Sequence, residues 1–194
     1  MGLPSKSSAE RYSYRDYLQW DDDERWELID GVPYNMTPAP SRKHQEILRQ
    51  LLTCFAVYLE GKTCKVYPAP FDVRLADKVQ QDEDIIHVVQ PDITVVCDPS
   101  KLDDRGCKGT PDLLVEIISP STSKKDRREK YILYEKFGVK EYWIVDPSNE
   151  SVEIYHLQSD GKFERPPEVF SKEDTVEVKL LEDFKIDLSA VFTE

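Results

Sequence analysis

Apolar positions recur along this chain with two different periods. Between Ser41 and Leu59, residues Ile47, Leu48, Leu51, Leu52, Phe55 and Leu59 return every three or four places, which puts them on one face of a helix. Ser41 supplies the N-cap and Gly61 the stop. Elsewhere the apolar residues come in short unbroken runs. The clearest is Pro111-Asp-Leu-Leu-Val-Glu-Ile-Ile-Ser119, rich in branched side chains and followed by Pro120. Such a run predicts a strand covered on both faces, hence an inner strand of a parallel or mixed sheet. Ile93–Cys97 and Glu141–Asp146 have the same character. Between the Pro111 run and Glu141 the pattern predicts a helix over Lys124–Phe137, with Ser121, Thr122 and Ser123 as caps and Gly138 as its end. Tyr131, Tyr134 and Phe137 would form its buried face. Strand, helix, strand in that order permits a right-handed βαβ unit.

The remaining pattern adds hairpins and short elements. Ser13 with Asp16 makes an approximate capping box for a helix over Tyr14–Trp20. Asp30-Gly31 between Arg25–Ile29 and Val32–Met36 is a hairpin signal, and Pro33 places the second strand at an edge. Cys64–Tyr67 and Phe71–Leu75 read as strands. So do Ser151–His156, Lys162–Glu164 and Thr175–Val178. Asp183–Phe192 reads as a closing segment packed back on the core. Residues 77–84 and 99–109 read as flexible loops, and Asp21–Glu24 as a solvated acidic loop. The expected organisation is a flexible N-terminus over 1–12 and one domain over 13–194. The fold class is α/β (α+β), a mixed sheet with helices on its faces.

Composition narrows the function. The 194 residues carry a net charge of -12, which argues against broad affinity for nucleic acid. One local basic cluster runs against that balance: Lys124, Lys125, Arg127, Arg128 and Lys130. Its plain reading is a solvated helix face. No apolar run is long enough to span a membrane and the N-terminus lacks an apolar core, so a cytoplasmic protein with no membrane partner is expected. The four cysteines show no C-x-x-C pair and read as reduced and structural, with zinc binding as the minor reading.

Glu116 is the residue that demands chemistry. A carboxylate in an apolar strand is costly unless it is paired, protonated or holding a cation. Asp112 shares its face but lies ~13 Å along the strand. Asp92, at the start of another apolar strand, is the better partner, and Glu27 on the first hairpin is a third candidate. Asp92 after Pro91 also reads as an ordinary turn residue. Two carboxylates and an ammonium suffice for metal-assisted phosphodiester hydrolysis, and Lys130 on the following helix can supply the ammonium. His44, in a helix first turn, reads more simply as a packing residue.

These residues carry a resemblance. Pro91-Asp92 followed by Glu116 fits the PD-(D/E)XK nuclease pattern. More closely, the chain resembles the Uma-type restriction endonuclease family. The carrying residues are Trp26–Gly31, His44, Pro91-Asp92, Pro111–Thr122, Asp126, Lys130, Tyr134 and Gly138–Pro147, within residues 13 to 190. The resemblance implies a restriction-endonuclease-like mixed β-sheet flanked by helices. It also implies a Mg2+- or Mn2+-dependent DNA endonuclease. Asp92, Glu116 and the Ile117 carbonyl would hold the ion, with Glu27 assisting, and Lys130 would be the third catalytic residue. Lys124, Lys125, Arg127, Arg128 and His44 would face the DNA, and a homodimer is expected. One position departs from the superfamily pattern: its lysine falls two places after the Glu, where this chain has Ile118. The alternative is a catalytically silent nuclease fold serving as a DNA- or protein-binding scaffold.

Overall fold

The computed structural model describes residues 11–20, 24–36, 39–77, 79–120 and 123–193. The N-terminal ten residues, Asp21–Asp23 of the acidic loop and the caps Ser121 and Thr122 lie outside the described residues. In chain order the elements begin with helix α1 (Tyr14–Tyr17), strands β1 (Trp26–Ile29) and β2 (Val32–Asn35), helix α2 (Arg42–Leu59) and strand β3 (Lys65–Pro68). Strands β4 (Val73–Arg74), β5 (Val88–Val89), β6 (Ile93–Val96), β7 (Leu102–Asp103), β8 (Gly106–Lys108) and β9 (Leu113–Ile117) follow. A π-helical segment (Lys125–Lys130) runs into helix α3 (Tyr131–Phe137). The chain ends with β10 (Glu141–Asp146), β11 (Ser151–His156), β12 (Glu168–Ser171), β13 (Thr175–Glu177) and β14 (Lys185–Asp187).

Two sheets organise these strands, one in the order β2-β1-β5-β4-β8-β7 and the other β12-β11-β10-β9-β6-β3. A small β13-β14 hairpin stands apart from both. In the second sheet β9 and β10 are parallel, joined through the π segment and α3 as the βαβ pattern predicts. β6 runs antiparallel to β9, so the sheet is mixed. Its two faces have separate cores. On one, α2 buries Ile47, Leu51 and Phe55 against Val95, Leu113, Val115 and Trp143. Each such side chain contributes about 1.5–3 kcal/mol by leaving water. On the other face, Leu114, Tyr142 and Ile144 meet α3 and the first sheet through Tyr134, Val73 and Val89.

Local expectations hold at several places. Ser13 and Asp16 form the capping box of α1. Ser41 caps α2 by accepting the His44 N–H. Asp30 and Gly31 turn the first hairpin with φ of 51° and 74°, and β2 is an edge strand. Gly138 ends α3 in the left-handed conformation, φ 76°.

Four expectations are corrected. Residues 99–109 are a 3-10 turn and the β7-β8 hairpin, which completes the first sheet beside β4. Gly106 allows this: its φ is +115°, and a Cβ there would lie 2.3 Å from the Asp72 carbonyl oxygen. The first turns of the Lys124–Phe137 helix are π rather than α. Phe163 within 162–164 forms a single bridge to Leu157 in place of a strand. Finally, Cys64 and Cys97 are disulfide-bonded, while Cys54 and Cys107 stay free. The β3-β6 register, Lys65 opposite Val96, brings Cys64 and Cys97 face to face one step further on. No C-x-x-C spacing could reveal that pairing.

Candidate active site

Glu116 points from β9 toward the helix side of the sheet, and almost nothing of it is exposed. Its Oε1 accepts two hydrogen bonds of 2.7 Å, from Lys130 Nζ and from the Tyr134 hydroxyl. Lys130 is wholly buried and is shared among three carboxylates: Glu116 at 2.7 Å, Glu27 Oε1 at 2.8 Å and Asp126 Oδ1 at 3.7 Å. The helix geometry explains the alignment. In an α-helix, positions i and i+4 drift by about 40°. In the wider π-turn the drift has the opposite sign. A π segment followed by α3 therefore keeps Asp126, Lys130 and Tyr134 in one row facing β9.

Register places Asp92 beside this group. Ile93 pairs with Val115, so Asp92 continues the ladder opposite Glu116, on the same face. Asp92 Oδ2 accepts the Ile117 backbone N–H at 2.8 Å and lies 3.3 Å from His44 Nε2. The same register sets Ile117 opposite Pro91, which has no N–H, so the ladder offers the Ile117 carbonyl no partner. Asp92, Glu116, Ile117, Lys130, His44 and Lys124 are among the residues lining one cleft of about 740 Å3.

The charges are strongly coupled. Burial raises the Glu116 carboxyl to about 8, with Asp126, Asp92 and Glu27 adding to the effect against the pull of Lys130. Burial also works against ionisation of Glu27, but Lys130 and Lys125 outweigh it and hold that carboxyl at about 2. Lys130 is itself held well above its ordinary value: burial opposes its charge, and Glu116 and Glu27 overcome burial.

Several expected roles change with this geometry. Glu27 is fully buried, with Oε1 taken by Lys130 and the Gln90 backbone N–H and Oε2 by Lys125. Both of its oxygens hold cationic side chains. Lys125 is correspondingly tied to Glu27 at 2.7 Å instead of standing free at the surface. Arg127 turns away from the cleft to Glu153 at 2.5 Å and Asp146 at 3.7 Å. Lys124 and Arg128 are exposed, and of the two only Lys124 lines the cleft. His44 is nine-tenths buried beside Asp92. Tyr134 and Asp126 join the cluster without having been assigned a function from the sequence pattern. Their i,i+4 spacing on either side of Lys130 was the available signal.

Among the described residues no group of three or more His, Cys, Asp or Glu side chains is arranged to hold a metal ion. The donors present still fit magnesium. Asp92 Oδ2 and Glu116 Oε1 are committed to protein donors, which leaves Asp92 Oδ1, Glu116 Oε2 and the Ile117 carbonyl. Magnesium keeps several waters and commonly takes only one or two carboxylates.

Mixed sheet, flanking helices and a carboxylate–lysine cleft define a restriction-endonuclease-like fold. A crystal structure described as a putative nuclease belonging to DUF820, from Anabaena variabilis, superposes with a TM-score of 0.72 over 93% of this chain and 97% of that one, at 19% identity. The family Uma2, described as "Putative restriction endonuclease", matches residues 14–189, and the chain belongs to it. It is also similar to an uncharacterized protein, slr1290, of Synechocystis, 29% identical over 78% of this chain and 77% of that protein. No helix among the described residues is long and apolar enough to cross a membrane.

Proposed function

We propose that this protein is a Mg2+- or Mn2+-dependent DNA endonuclease. The observation that carries the reading is Lys130: a buried ammonium 2.7 Å from Glu116, in the cleft that Asp92 also lines. It supplies from the helix the charge that the superfamily pattern puts where Ile118 stands. Membership of a restriction-endonuclease-like family supports the same reading.

The chain's own groups divide the work. Asp92 and Glu116, with the Ile117 carbonyl, would hold a divalent cation. A cation there would neutralise phosphate charge and make water a better nucleophile. Tyr134 and Lys130 fix one oxygen of Glu116, leaving the other to face the cleft. Lys130 spends two N–H groups on Glu116 and Glu27. Its third orients the attacking water and stabilises charge growing on the phosphate. Glu27 keeps Lys130 protonated and in place. Lys124 and Lys43, both on the cleft wall, meet the backbone of the DNA.

The alternative is a silent scaffold of the same fold, supported by the net charge of -12 and by the three carboxylates that surround Lys130. Cleavage of circular and linear DNA with added Mg2+ or Mn2+, against a chelator control, separates the two. Metal-dependent cutting lost in Lys130→Met and Asp92→Asn is expected. DNA that stays intact with both metals rejects the enzyme reading.

A further inference from the structure

His44 has a contact that packing alone does not explain. The side chain is nine-tenths buried at the start of α2. Its Nε2 lies 3.3 Å from Asp92 Oδ2. Its Nδ1 is buried with no hydrogen-bond partner. The two ring nitrogens therefore have opposite surroundings, one facing a carboxylate and one facing none.

We infer that His44 is a positioning residue for Asp92, held as the tautomer with its proton on Nε2. A bare imidazole nitrogen facing a carboxylate oxygen would be repelled, so the proton belongs between Nε2 and Oδ2. Nδ1 is then the lone-pair end, and an unpaired buried acceptor is tolerated better than an unpaired buried N–H. The Ile117 N–H reaches the same oxygen at 2.8 Å. Two donors on Oδ2 fix the rotation of the carboxylate and leave Oδ1 as the oxygen presented to the cleft. The anchor is rigid from below: the His44 N–H is held by Ser41 Oγ at 3.2 Å, and α2 continues into the core through Ile47, Leu51 and Phe55. The role in cation binding rests on the nuclease reading. The tautomer and the bond to Asp92 do not.

Two measurements test this. In the metal-free protein, 15N-correlated NMR of the histidine rings should show His44 protonated on Nε2, and Asp92→Asn should move that resonance by more than those of His87 and His156. A proton on Nδ1, or a resonance indifferent to Asp92→Asn, overturns the inference whether or not the protein cuts DNA. In the second measurement, Mg2+ and Mn2+ are titrated calorimetrically into parent, His44→Leu and His44→Gln. Removing such an outer partner costs about 10–100-fold in metal affinity. That loss is expected for His44→Leu, with a cleavage rate at saturating metal within a few-fold of the parent. His44→Gln, whose amide N–H reaches a similar point, should recover most of the affinity. Equal metal affinity in parent and His44→Leu overturns the positioning role. So does unchanged affinity with a collapsed rate at saturating metal, which would make His44 a group acting on the substrate. A parent that binds neither ion sinks the nuclease reading, and the NMR result then decides the His44–Asp92 bond alone. If His44→Leu does not fold, the comparison of His44→Gln with parent and the NMR result still decide.

Discussion

Lys130 Nζ stands 2.7 Å from Glu116 Oε1 although the two residues belong to different elements, one on the π segment and the other on β9. Reaching that position buries the ammonium completely. The pairing has a thermodynamic consequence that exposed lysines lack. Removing one member of a buried charge cluster leaves the others uncompensated, which costs about 3–5 kcal/mol.

Lys130→Met should therefore do two things at once. It should abolish most of the cleavage rate, and it should lower the unfolding midpoint, because Glu116, Glu27 and Asp126 lose their shared cation. Added Mg2+ should restore part of that stability, since a ligand bound only by the folded state raises it by mass action. Thermal unfolding with and without Mg2+, beside single-turnover cleavage, gives both numbers. A variant as stable and as active as the parent would return Lys130 to the role of a structural partner.

Glu27 gives a prediction in pH. Its carboxyl lies at about 2 in the folded protein against an ordinary 4.5. A lowered folded value contributes stability that is present above pH 4.5 and is lost as pH falls through 2. The contribution is about 3 kcal/mol. Glu27→Gln should be less stable than the parent at neutral pH, and the gap should narrow on acidification across that window. Denaturant unfolding at pH 7, 4 and 3 reads the gap directly. A constant gap would mean that the Lys125 and Lys130 pairs do not set its charge.

DNA binding is predicted at the cleft mouth. Arg127 is held by Glu153 and Asp146, and Lys125 by Glu27. Lys124 is exposed, and Lys43 stands 3.5 Å from Glu150. The double variant Lys43→Glu with Lys124→Glu should bind DNA more weakly at every salt concentration. Its salt dependence should flatten by about one unit of slope for each phosphate that is no longer neutralised. Arg127→Ala should change either quantity little. Fluorescence anisotropy across a salt series distinguishes them, and a larger effect from Arg127 would move the binding surface to the outer helix face.

What the sequence revealed follows the range of the interactions. Ser41, the 3-4 spacing to Leu59 and Gly61 are local signals, and α2 could be read from them. The βαβ unit was legible because Leu113–Ile117 and Glu141–Asp146 are apolar on both faces. Glu116 stood out because its neighbours are apolar. The two-residue strands Val88–Val89 and Leu102–Asp103 have no periodicity of their own and exist only through pairing. The Cys64–Cys97 bond and the capture of Glu27 by Lys125 and Lys130 depend on register and on approaches across the fold. A π turn has no signature in helical spacing, yet it decides which way Asp126 faces.

Glu116→Gln is the most informative single change at the site. The parent carboxyl is raised to about 8 by burial and by Asp126, Asp92 and Glu27, so without a cation it holds a proton at neutral pH. The amide keeps nearly the same shape and its oxygen can still accept from Lys130 and Tyr134. It mimics the protonated acid but cannot give up a proton to become the anion that attracts a cation. In chelator the variant should thus unfold at the same temperature as the parent or higher. On titration with Mg2+ or Mn2+ the parent midpoint should climb and the variant's should not. Calorimetric titration should agree, with heat of ion binding in the parent alone. A variant that keeps the parent's affinity would show that Glu116 is not a ligand, and that its place in the cluster serves to hold Lys130.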